Sequence, residues 1–233
     1  LIDTPINYKQ PGFAMRVVGA SYHGADDGRG HFFYSYDAGK TWNGPYGFGD
    51  VLSWPELTAS GLDELTPRTD YIVNDSSNCL LFFSARKKGK FATDRLFCIE
   101  TADGGKTYHF LGWVVGPAGT ATAGSQVKVN LFEDADKNPD ANECRAVMSQ
   151  SQKLDDGTIV SMIRRKFIVN GEGTDKHWID AYASTDGGKT WSFLSKVADT
   201  GNENGNPPAF AITKDGRLCV VYGERVEGTL RVV

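Results

Sequence analysis

The residues of this sequence best suited to chemistry are arginines that stand just before or just after short apolar runs: Arg68, Arg86, Arg145, Arg164, Arg165 and Arg225. A guanidinium presents a rigid fork of N–H donors that grips a carboxylate through two parallel hydrogen bonds. Several such forks at one place would make a seat for an anionic ligand. Polar groups able to move a proton or accept a hydrogen bond occupy comparable positions: Tyr22, His23, Asp26 and Asp27, then Asp70, Glu143, Asn206 and Glu224. Taken singly, an arginine at a strand end is more often a solvated or ion-paired surface group, and Asp26-Asp27-Gly28 alone reads as a turn. Only a fold that delivers these residues to one place gives them a joint function.

Composition bounds what that fold can be. A chain of 233 residues with 40% hydrophobic and 12% aromatic content can bury a core. Its formal net charge of -4 argues against a nucleic-acid partner, because nonspecific affinity for polyphosphate comes from clustered Lys and Arg. The useful positive charge must be local. No apolar run approaches the roughly 18 residues of a membrane-spanning helix, and no signal peptide is present, although the start at Leu1 says little about targeting. Cys79, Cys98, Cys144 and Cys219 lack CxxC spacing and lie in apolar segments, so buried thiols are expected, with a Cys79–Cys98 disulfide left open. No metal and no cofactor is expected.

The elements that must position the arginines announce themselves through a repeat. Residues 35–42 (SYDAGKTW), 101–108 (TADGGKTY) and 184–191 (STDGGKTW) share one eight-residue pattern. Asp37, Asp103 and Asp186 can accept hydrogen bonds from the amides of their own turn, while Gly39, Gly105 and Gly188 permit positive φ. Trp42, Tyr108 and Trp191 are expected to pack each turn against its sheet. The pattern resembles the Asp-box, or bacterial neuraminidase repeat, which joins the third and fourth strands of a β-propeller blade.

The flanking segments fit that architecture. Around the second box, 71–73, 79–83, 96–99 and 110–114 read as four strands; around the third, 145–148, 158–163, 178–182 and 192–194 do the same. The first box follows only 16–21 and 30–34, and after the third come 208–213, 218–222 and 229–233. The expected fold is therefore all-β, an Asp-box propeller of one domain with blades near 1–60, 61–120, 140–200 and 204–233. Because a propeller closes with about 4–8 blades, these three and a half blades read as a piece of a longer, six-bladed protein. In each blade the box lies in the outer C–D turn, on the rim of the A–B turn. The D–A and B–C loops make the opposite rim, and every arginine named above falls there.

Beyond the boxes, the sequence resembles the exo-sialidases over most of its length. The segment 19–22 (GASY), followed by an Asp-containing loop and the first box, is similar to the family's first blade. The resemblance implies Asp26 or Asp27 as acid/base catalyst, with Tyr22 and His23 beside the substrate; His23 stands where many members have Asp. Asn142-Glu143-Cys144, the hairpin at Asp156-Gly157 and the strand ending at Arg164 are similar to the segment whose Glu activates a tyrosine nucleophile and whose Arg grips the substrate carboxylate. The hairpin is a few residues longer than usual. Arg225 resembles a second arginine of that trio, and Arg68 and Arg86 are further substrate-binding candidates. An Arg-Ile-Pro arginine and the nucleophilic tyrosine are missing, so the chain alone is expected to be inactive. The implied reaction is retaining hydrolysis through a glycosyl-tyrosine intermediate, with a carboxylated glycan as partner, no membrane insertion, and an extracellular or periplasmic location. Two rivals remain: a noncatalytic glycan-binding or scaffold propeller, and a polysaccharide lyase using His23 and Tyr22 on a uronate.

Overall fold

In the computed structural model, residues 1–19, 28–90, 94–117, 120–122, 144–169, 172–203 and 205–233 are described. Period-two alternation of apolar side chains, broken by Gly, Asp and Asn turns, yields sixteen strands among them, paired antiparallel in successive sheets. The first sheet is β1 (Ala14–Val18), β2 (His31–Ser35) and β3 (Asn43–Gly47), in that order. Residues before it run along the neighbouring sheet: Ile6 N donates to Gly104 O at 2.8 Å and Tyr8 N to Ser76 O at 2.9 Å. Ile2, Ile6 and Tyr8 are buried there, and burial pushes the Tyr8 phenol well above its usual range.

In the second sheet, β4 (Glu64–Leu65) and β5 (Tyr71–Val73) both pair with β6 (Cys79–Arg86), which is followed by β7 (Arg95–Thr101) and β8 (His109–Val115). The third consists of β9 (Cys144–Lys153), β10 (Ile159–Val169), β11 (Glu172–Ser184) and β12 (Ser192–Asp199). The last group holds β13 (Ala209–Ile212), β14 (Leu218–Val221), β15 (Gly223–Val226) and β16 (Thr229–Val232). Here β14 pairs with β13 and β15 with β16, while Tyr222 between them exchanges two backbone hydrogen bonds with Val233. Strands β14 and β15 thus act as one bent middle strand. The sequence signalled only its first half, because Gly223-Glu224-Arg225 lacks apolar alternation.

Packing is sheet against sheet. Leu80, Phe82 and Cys98 of the second meet Ile159, Ile163 and Tyr182 of the third. Val160, Met162 and Ile179 of the third meet Phe210 of the last. This stacking of successive antiparallel sheets is the propeller arrangement. The short helix Pro55–Thr58 and strand β4 were not legible in the sequence. Cys79 faces Thr101 and Cys98 faces Phe82 in the β6–β7 register, so the two are not cross-strand neighbours, and both are free thiols. Cys219 is exposed rather than buried, because β14 turns that side to solvent.

All three boxes form the same turn. In the first, Thr41 N and Thr41 Oγ1 donate to the two Asp37 oxygens at 2.9 and 2.7 Å, and Ser35 Oγ donates to Asp37 at 2.6 Å. Asp103 receives Thr107 in the same way, and Asp186 receives Thr190. Hydrogen bonds from Ser35 and Thr41 hold the Asp37 carboxyl down to about 2. Partial burial opposes the same effect at Asp186, where the Thr190 and Ser184 hydrogen bonds win and leave it at about 2. Trp191 and Tyr108 are buried, each against the preceding sheet: Trp191 on Phe82, Tyr108 on Phe32 and Phe48. Trp42 departs from expectation at 43% exposure. Its box belongs to the first sheet, and no preceding sheet exists among the described residues to receive it.

Candidate anion site

The register fixes which end of each sheet carries the arginines. Ile159 pairs with Ser184, where the third box begins, and Arg164 pairs with Ile179, five residues along, or roughly 17 Å at the rise of a strand. Arg68 precedes β5, whose far end turns into β6 beside the second box, since Cys79 pairs with Thr101. Arg225 lies on β15, beyond the β13–β14 turn. The three therefore share the rim away from the boxes, and they line one cavity of about 510 Å³ together with Met148, Ser149 and Asn206. None of the described residues lining it is acidic.

Arg164 is 7% exposed. Loss of solvent, then the neighbouring charges of Arg145, Arg225 and Arg68, lower its pKa to about 10, with Asp94 acting in the opposite sense. A guanidinium perturbed this far marks a strongly positive, partly dehydrated place, which an anion would relieve. Arg225 is steadied by Nη2 donating to Asn206 Oδ1 at 3.0 Å, and Arg68 Nη1 donates to Pro67 O at 3.0 Å.

The walls are tied together by polar side chains. Buried Asp70, two residues after Arg68, accepts from Ser149 Oγ at 2.6 Å and from Ser151 N and Oγ at 2.9 Å each. On the other side, Gln150 Nε2 donates to Phe210 O at 3.0 Å while its Oε1 accepts from Phe210 N, so the side chain imitates a paired strand between β9 and β13. Neither link is visible in the sequence, since each joins residues 60 or more positions apart.

Not every predicted arginine reaches the cavity. Arg86, expected to bind substrate, is 2% exposed and pairs with Glu64 at 2.5 Å, and it is not among the cavity residues. A buried guanidinium that already holds a carboxylate has little left for a ligand. Arg145 is held by Asp94 at 2.5 Å. Arg165 points to the other face of β10, fully buried beside Asp180 at 3.7 Å with Nη1 donating to Tyr182 Oη at 2.9 Å. Tyr22, His23, Asp26, Asp27 and Glu143 lie outside the described residues. Met148 was missed; the long hairpin after Glu143 was its only trace.

The model of the BNR/Asp-box repeat matches residues 33–43 and 182–193; the middle box is recognised by its geometry. No curated protein matches the chain. Among solved structures, a protein of unknown function from Dyadobacter fermentans is similar with TM-score 0.56 and 19% identity, over 84% of this chain and 44% of that one. The Hadza microbial sialidase Hz136 gives 0.51 and 15%, over 97% and 44%. An α-L-arabinanase of Penicillium chrysogenum complexed with arabinobiose gives 0.52 and 15%, over 87% and 52%. The chain spans about half the length of the structures it matches. Fold and repeats together define an Asp-box β-propeller. The chain carries BNR/Asp-box repeats and shares its fold with these structures, a sialidase among them.

Proposed function

We propose that this chain forms the carboxylate-binding side of an exo-sialidase-like active site, which removes a terminal sialic acid or a related carboxylated sugar from glycans. The observation that carries the reading is the convergence of Arg68, Arg164 and Arg225, from successive sheets, on one cavity with no acidic residue among the described residues that line it. Three guanidinium forks suit a sugar carboxylate, and the surrounding positive charge favours it over a neutral sugar.

In this reading Asp26 or Asp27 protonates the leaving oxygen and then activates water, Glu143 is the base behind a tyrosine nucleophile, and Tyr22 and His23 border the sugar. A tyrosine paired with a glutamate keeps a formal negative charge away from an anionic substrate. The test is turnover of a fluorogenic sialoside by the protein that carries this chain. Arg164→Lys should mainly raise KM and Glu143→Gln mainly lower kcat. Sialoside turnover unchanged by both substitutions, or unsaturated-uronate absorbance from a polyuronate, would assign the site to other chemistry.

A further inference from the structure

Met148 is the cavity residue with the least ordinary backbone. Its φ of 57° lies in the left-handed region that residues other than glycine avoid. In the β9–β10 register Ser149 faces Ile163 and Val147 faces Arg164, so Met148 is the extra residue of a β-bulge. A bulge re-aims a side chain, and strained backbone persists where the surrounding structure enforces it, often at functional sites. Here the bulge brings the thioether onto the guanidinium opposite: Arg164 Nη1 donates to Met148 Sδ at 3.3 Å, and both residues line the cavity with Arg68 and Arg225.

The chemistry of this partner matters as much as its position. A carboxylate at position 148 would anchor Arg164 firmly but would cancel the positive field that an anion needs. A thioether is uncharged, polarisable and only a weak acceptor. It can occupy one N–H without adding a negative charge of its own. We propose that Met148 is a positioning residue for Arg164, holding the guanidinium in its cavity orientation without neutralising it. The consequence for carboxylate binding rests on the functional reading above; the positioning itself does not.

Relaxation of the arginine Nε–Hε groups in the ¹⁵N-labelled chain, without ligand, tests the positioning directly. In the parent, the Arg164 order parameter should lie near that of rigid backbone, about 0.85. In Met148→Gly it should fall below about 0.6, the flexible range. The unfolding midpoint should shift by no more than about 5 °C, because glycine takes up the left-handed φ without strain. Met148→Leu keeps the volume and lacks the acceptor, and it decides the matter if the glycine variant does not fold; Arg164 should lose order there too. In a parent that binds N-acetylneuraminic acid, Met148→Glu should weaken that binding at least about tenfold. Arg164 equally ordered in the parent and in Met148→Leu, or the acid bound by Met148→Glu as tightly as by the parent, overturns the proposal. Loss of order in the variants together with no binding of the acid by the parent keeps the positioning role and removes the functional reading.

Discussion

Asp70 Oδ2 accepts a hydrogen bond from Ser149 Oγ at 2.6 Å, across the joint between the second sheet and the third. The carboxyl group two residues from Arg68 is thereby fastened to the strand that carries Met148. Burial pushes it up to about 6, against the lowering influence of Ser149 and Ser151. The folded chain therefore holds this proton more tightly than the unfolded chain, whose aspartate titrates near pH 4. Its contribution to stability falls as pH rises from about 4 to about 6 and is fully lost above that. Asp70→Asn removes the dependence. In urea unfolding, the parent should lose about 2 kcal/mol relative to this variant between pH 4 and 7, and a flat difference over that range would contradict the account.

The fourth position of the Asp-box turn offers a second prediction. Ala38, Gly104 and Gly187 occupy it with φ of 59°, 71° and 77°. A Cβ on Gly187 meets nothing within 4 Å, so Gly187→Ala should cost only the left-handed backbone, about 1 kcal/mol. On Gly104 the same atom would stand 2.7 and 2.8 Å from Ile6 O and N, so Gly104→Ala must also displace the segment that covers this box. It should cost at least about twice as much. Equal unfolding midpoints for the two variants would mean that residues 1–13 do not seal the second box.

Asp94 is fully buried and accepts from Arg145 Nε at 2.5 Å and from Thr66 Oγ1 at 2.6 Å. Removing one partner of such a pair leaves a dehydrated charge, so Asp94→Ala or Arg145→Ala should each cost about 3 kcal/mol. The double variant should cost clearly less than the sum. Additive losses in a denaturant double-mutant cycle would show that the two groups do not interact.

What the sequence disclosed and what it hid divide along the range of the interactions. The boxes were legible because Asp37, Asp103 and Asp186 bond within their own turns, up to four residues away. Strand periodicity carried the sheets, and the A-to-D order carried the rim on which Arg68, Arg164 and Arg225 meet. Hidden were the partners that decide which arginine is available. Glu64 lies 22 positions from Arg86, and Asp94 lies 51 from Arg145. Nor does composition mark the bulge at Met148, since an extra residue in a strand leaves the alternation of its neighbours almost intact. The exposure of Trp42 follows from its place in the first sheet, which the repeat alone treats as equivalent to the others.

In the function proposed above, Arg68, Arg164 and Arg225 together bind one carboxylate. Isothermal titration of the chain with N-acetylneuraminic acid and with its methyl ester, for the parent and for Arg68→Ala, Arg164→Lys and Arg225→Ala, tests it most directly. The parent should bind the acid at least about tenfold more tightly than the ester, a difference of about 1.4 kcal/mol. Each substitution should remove most of that preference while leaving the ester unaffected. Acid and ester bound alike by the parent, or an undiminished preference for the acid in all three variants, would contradict it.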